Sequence, residues 1–151
     1  MRIIVQRVGP SAVVVDGTET GRIDRGLLLY VGIGRDDSAE DAAFLAKKIA
    51  TLRIFEDDAG KMNLDVGQVG GAVLAISNFS LYADTSRGRR PAFVDAAPPE
   101  QAVKIYEQFC AGLRALGIHV ETGRFRETMA VHSVNDGPIN IVLESPGKTP
   151  S

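Results

Sequence analysis

The hydrophobic pattern of the chain opens as strand. Residues 2–8 (RIIVQRV) and 11–15 (SAVVV) are rich in β-branched side chains, with Gly9-Pro10 as punctuation between them. Asp16-Gly17 and Gly21 read as turn residues. The segment 26–33 (GLLLYVGI) is apolar at nearly every position, as a central strand covered on both faces would be. The period then changes. Ala42, Leu45, Ile49 and Leu52 recur at helical spacing, and Ser38 stands three residues before Asp41 in an approximate capping box, so a helix is predicted over 39–52.

Residues 56–71 (EDDAGKMNLDVGQVGG) carry acidic and glycine turn signals, and 72–77 (AVLAIS) reads as a short buried strand. The stretch 84–98 (DTSRGRRPAFVDAAP) has no period, and aperiodic loops of that length often carry function. A second helix is predicted over about 99–116. Pro99 suits its first turn, Val103, Tyr106, Phe109, Cys110, Leu113 and Leu116 share a face, and Gly117 can close it. Strands at about 118–122, 128–134 and 139–144 complete the pattern. The fold class is therefore α/β of the mixed (α+β) kind. It forms a single domain over 1–145 with mixed β-sheets and two main helices, followed by a flexible tail at 146–151.

Composition narrows the function classes. Of 151 residues, 44% are hydrophobic and 24% charged, which is globular rather than disordered. With 17 basic and 19 acidic residues the net charge is -2, which argues against a generally basic nucleic-acid coat and leaves room for a local basic patch. No apolar run approaches the roughly 18 residues that span a bilayer. Gln6 and Arg7 interrupt the only candidate leader, so a soluble, cytoplasmic protein without a membrane partner is expected. A single cysteine, Cys110, excludes an internal disulfide and a paired-cysteine zinc site. With only His119 and His132 beside it, no metal is expected.

Four constellations hold the candidate chemistry: SNFSL at 77–81, TSRGRRP at 85–91, GRF at 123–125 and NDGPIN at 135–140. Ser77 and Ser80 follow a strand, where their hydroxyls either face a substrate or satisfy backbone groups; the GxSxG elbow is absent. Arg87, Arg89 and Arg90 form either a solvated loop or a phosphate-contacting patch, since guanidinium forks match phosphate oxygens. Phe125 is either a core residue or a ring for stacking on a base. Gly137-Pro138 reads as a plain turn or as a cis X-Pro bond at the start of a strand.

Together, SNFSLYADTSRGRRPAF, ETGRF, Met129 and NDGPINI resemble the D-aminoacyl-tRNA deacylases, and the resemblance runs collinearly from MRIIVQRV to INIVLES. The chain departs from that pattern at Asn78 and Ser80, where the family usually reads SQFTL. It departs again at Arg126 and Glu127, where GRF is usually followed by GA, and at Asn140, where Thr is common. The resemblance implies hydrolysis of the ester between a D-amino acid and the terminal adenosine of tRNA, with glycyl-tRNA as a further substrate. It implies a homodimer whose Gly137-Pro138 peptide, in cis, enters the partner's site and rejects L-amino acids through its backbone. It implies no cofactor. The backbone N–H groups around Phe79 and Ser80, beside Ser77, become the oxyanion donors, and Ser80 a positioning group ranked above a nucleophile, with the ribose 2′-hydroxyl helping to activate water. Asn78 and Met129 then line the substrate, Phe125 meets the adenine, and Arg87, Arg89 and Arg90 meet acceptor-end phosphates. The rival classes are a non-catalytic RNA-binding module, which leaves Gly137-Pro138 without a reason, and a serine esterase, for which the histidine supply is thin.

Overall fold

The computed structural model describes residues 1–147, so most of the predicted tail (148–151) lies outside the described residues. In chain order the elements are β1 (Arg2–Val8), β2 (Ser11–Val15), β3 (Thr18–Ile23), β4 (Gly26–Gly32) and α1 (Ala39–Ala50). There follow β5 (Phe55–Glu56), β6 (Met62–Leu64), β7 (Ala72–Ser77), a 3-10 turn (Phe79–Tyr82), α2 (Pro99–Ala115), β8 (Val120–Thr122), β9 (Ala130–His132) and β10 (Asn135–Glu144). The predicted α/β class with two main helices holds.

The main sheet has the order β10-β1-β4-β7-β8. The β10–β1 and β1–β4 pairs are antiparallel, while β4–β7 and β7–β8 are parallel. A smaller antiparallel sheet, β3-β2-β9, lies over one face. The side chains explain the three layers. Leu27, Leu29 and Val31 on β4, with Val73 and Ala75 on β7, join the core made with Leu45 and Ile49 of α1 and Phe109 and Leu113 of α2. The alternate residues Leu28, Leu74 and Ile76 join Val8, Val13 and Ile23 in a second core under the small sheet. The unbroken apolar run on β4 thus reflects burial on both faces, each fully buried aliphatic side chain contributing about 1.5–3 kcal/mol. On α2 the sole thiol, Cys110, is buried, and burial pushes its pKa up.

Three expectations need correction, the first being that the 56–71 stretch, read as turns, contains β6, paired antiparallel with β5. The segment after Asp16-Gly17 is a strand, β3, absent from the sequence reading. Val15 pairs with Thr18 across a two-residue turn in which Asp16 (φ 49°) and Gly17 (φ 76°) both take the left-handed region that closes tight hairpins. The polar residues Thr18 and Glu19 are exposed, which hid the strand, and Gly21 is needed where a Cβ would come within 2.6 Å of the Thr122 carbonyl oxygen. The last strand, expected at 139–144, starts at Asn135 instead. Gln6 pairs with Asn140, whereas Val8 pairs with Asn135, so residues 136–139 leave the ladder as a protrusion inside β10. This protrusion carries Gly137-Pro138, whose peptide is cis. Across its base the Asn135 side chain accepts from Ile139 N–H at 3.1 Å and donates to Asn140 Oδ1 at 2.7 Å.

Candidate active site

At the carboxyl end of β7 the chain leaves the sheet and immediately turns. Asn78 N–H donates to the Val31 carbonyl at 2.8 Å, adding one rung to the parallel β4–β7 ladder. Its side-chain Oδ1 then caps the 3-10 turn, accepting from Ser80 N–H at 3.1 Å and from the Ser80 hydroxyl. These bonds commit the Ser80 N–H and the hydroxyl proton. The Phe79 N–H has no hydrogen-bond partner among the described residues. The Phe79 ring is 62% exposed and packs edge-on against Phe93 with 4.8 Å between centroids.

A cleft of about 300 Å³ opens here. Five of the sequence-predicted residues line it: Ser77, Asn78, Phe79, Phe125 and Met129. Phe125 is both wall and core. Its ring lies 6.1 Å from that of Tyr106, whose hydroxyl donates to the Ala75 carbonyl at 2.8 Å, so the wall is tied back to β7. Tyr30, Arg126 and Glu127 also line the cleft and were not singled out for a role. Tyr30 carries the one hydroxyl of an otherwise apolar strand, a signal that was available in GLLLYVG; partial burial pushes its phenol pKa up.

Ser80, exposed on the 3-10 turn, is not among the lining residues, and the other predicted residues lie elsewhere. Arg87, Arg89 and Arg90 sit on an exposed loop closed at its base by two backbone bonds between Asp84 and Ala92, of 2.7 and 2.9 Å. None of the three makes an ion pair among the described residues. Gly137 and Pro138 are exposed on the edge strand β10, with β1 and β4 between them and β7, and they do not line the cleft of their own chain. Arg7 holds their protrusion. It is buried, donates to the Asp136 carbonyl at 3.1 Å and to the Ile54 carbonyl at 2.8 Å, and stands 3.2 Å from the Asp136 carboxylate.

A polar-lipped cleft at the carboxyl end of parallel strands is the usual place for ligand chemistry in an α/β sheet, which puts the chain in the class of small α/β enzymes. No helix among the described residues is long and apolar enough to cross a membrane. The family described as D-Tyr-tRNA(Tyr) deacylase matches residues 4–144. A D-aminoacyl-tRNA deacylase of Anaeromyxobacter dehalogenans is 57% identical, covering 96% of this chain and 97% of the relative. One from Thermotoga petrophila is 52% identical with the same coverage. A solved c-Myc DNA unwinding element binding protein superposes with a TM-score of 0.91 at 36% identity, covering 97% of this chain and all of that one. The chain belongs to the D-aminoacyl-tRNA deacylase family.

Proposed function

We propose that the chain hydrolyses the ester joining a D-amino acid to the 3′-terminal adenosine of tRNA, in the cytoplasm where charged tRNA is used. The observation that carries this reading is the free Phe79 N–H at the head of the cleft. A donor fixed by the end of β7 and the 3-10 turn suits an ester carbonyl whose oxygen gains charge during attack. The Ser80 hydroxyl, donating to Asn78, keeps its lone pairs for a water or ribose hydroxyl. An amide oxygen does not take the serine proton as a base would, and no histidine lines the cleft, which favours positioning over nucleophilic attack.

The cleft is completed by a second copy. Gly137-Pro138 stands exposed on an edge strand together with Val142 (63% exposed), the kind of unpaired, partly apolar edge that association covers. Backbone from the partner's protrusion then faces the substrate's amino group and Cα. An L side chain collides with it, while a D side chain points to solvent and glycine has nothing to collide. Phe125 takes the terminal adenine, Met129 and Asn78 bound the aminoacyl group, and Arg87, Arg89 and Arg90 take acceptor-end phosphates. An arginine loop also suits the DNA-element binding in the name of the solved relative; the free donor in the cleft favours the hydrolase. No metal or organic cofactor enters this scheme.

Incubation with D-Tyr-tRNA and L-Tyr-tRNA tests it. Rapid release of D-tyrosine alone, from a species twice the 16.1 kDa chain mass by sedimentation, is the expected result. Equal rates on both substrates, or full activity from a stable monomer, overturns the composite site.

A further inference from the structure

One wall of the cleft ends in a four-residue turn, Arg124 to Glu127, closed by Glu127 N–H to the Arg124 carbonyl at 3.3 Å. Arg126 holds its third position at φ 66°. That left-handed value is supplied by glycine or asparagine in turns of type II, and an arginine there is strained. Its side chain is exposed and makes no hydrogen bond or ion pair among the described residues, even with the adjoining Glu127. A long cation with its charge unspent is thus held at the cleft lip beside Phe125, at the cost of an unfavourable backbone.

Resting on the deacylase reading above, we propose that Arg126 binds the phosphodiester linking the terminal nucleotide of the acceptor strand to its neighbour. It would serve as a specificity contact for polynucleotide over free aminoacyl ester. The substrate's own chemistry selects that group. The amino-acid carboxyl is consumed in the ester and the α-amino group is a cation or neutral, so the anions near the reacting centre are phosphates. The guanidinium fork matches two phosphate oxygens, and strain maintained for a ligand contact is a recurrent property of binding sites.

The test compares D-Tyr-tRNA with D-tyrosyl-adenosine, which has the ester and the base but no phosphate. Arg126→Ala should raise KM for the tRNA several-fold with kcat unchanged. It should also reduce the salt slope of log K by about 0.7, one phosphate's worth on a single strand. On D-tyrosyl-adenosine its kcat/KM should equal that of the unaltered protein. Arg126→Lys should restore part of the loss. Arg126→Gly should show the same KM defect with a higher Tm, because glycine accepts the turn freely. An unchanged KM in Arg126→Ala, an equal loss on both substrates, or a lower Tm in all three variants overturns the phosphate contact while leaving the deacylase reading standing. An unaltered protein that hydrolyses neither substrate overturns both.

Discussion

Arg7 lies opposite the protrusion of β10, and its Nε donates to the Asp136 carbonyl at 3.1 Å while Nη1 donates to the Ile54 carbonyl at 2.8 Å. One buried side chain thereby ties the residue before Gly137 to the body of the fold. Arg7→Met keeps the bulk and removes the donors, leaving the buried Ile54 carbonyl unpaired. Urea unfolding should show a loss of about 1–3 kcal/mol. The ratio of D- to L-tyrosyl-tRNA deacylation should fall with it. Asp136→Asn, at a carboxylate 64% exposed, should change stability by less than about 1 kcal/mol.

Gly137 has φ 142°, and a Cβ added there would lie 2.7 Å from both the backbone nitrogen and Cγ1 of Ile139. Gly137→Ala must therefore displace the protrusion. Deacylation should drop by about tenfold or more, because shifts of around an ångström in a positioning group are costly. Sedimentation should still report a dimer. Unimpaired turnover would remove this backbone from the site.

Ser80→Ala should retain measurable deacylation in single-turnover assays, since a positioning hydroxyl is dispensable where a nucleophile is not. Asn78→Ala should be the more harmful change. It removes the side-chain cap of the 3-10 turn, a loss of about 0.5–2 kcal/mol by analogy with helix caps, and frees the Ser80 N–H. Complete inactivity of Ser80→Ala with fold and tRNA binding intact would instead assign it the attacking role.

Replacing Arg87, Arg89 and Arg90 together by Ala should flatten the salt dependence of tRNA binding by up to about 0.7 per residue in log–log slope. Affinity for cognate and non-cognate tRNAs should fall alike, because phosphates carry no base identity. Filter binding across a salt series measures it, and an unchanged slope removes the loop from the interface.

Asp41 gives a pH-dependent contribution. Burial acts to raise its carboxyl pKa, but the Ser38 N–H at 2.8 Å and hydroxyl at 2.9 Å, with the N-terminal ammonium, outweigh that and hold it below the ordinary range. A lowered native pKa means stability present above the usual aspartate value of about 3.9 and lost as pH falls through the folded value. Asp41→Asn should thus cost about 1 kcal/mol at pH 7. That difference, followed by thermal unfolding, should shrink as the pH is taken below the ordinary aspartate range and through the lowered folded value.

The layered core was readable because its residues repeat at strand and helix periods. GLLLYVG announced a strand covered on both sides, and the helix over 39–52 was anchored by the Ser38–Asp41 box that the structure contains. The polar hairpin strand β3 was not readable, since Thr18 and Glu19 face solvent and Gly21 serves a contact with Thr122 a hundred residues away. In the cleft, SNFSL and GRF both contribute residues to the lining. No local pattern shows that the Asn78 side chain takes the Ser80 N–H, or that Arg126 adopts a glycine-like backbone, because both depend on how β7 and the 124–127 turn are placed in space.

The burial of Cys110 has a bearing on oxidative damage. A thiol shut into the α2 core with its pKa pushed up presents little thiolate to peroxide, so the sulfur chemistry of this chain falls to methionine. Met62 is exposed on a short strand away from the cleft, while Met129 forms part of the cleft wall. A sulfoxide at Met129 would set a polar oxygen on the wall of the cleft, where the proposed function puts the aminoacyl group. Oxidant injury is thus expected as a loss of turnover that methionine sulfoxide reductase reverses, with folding preserved.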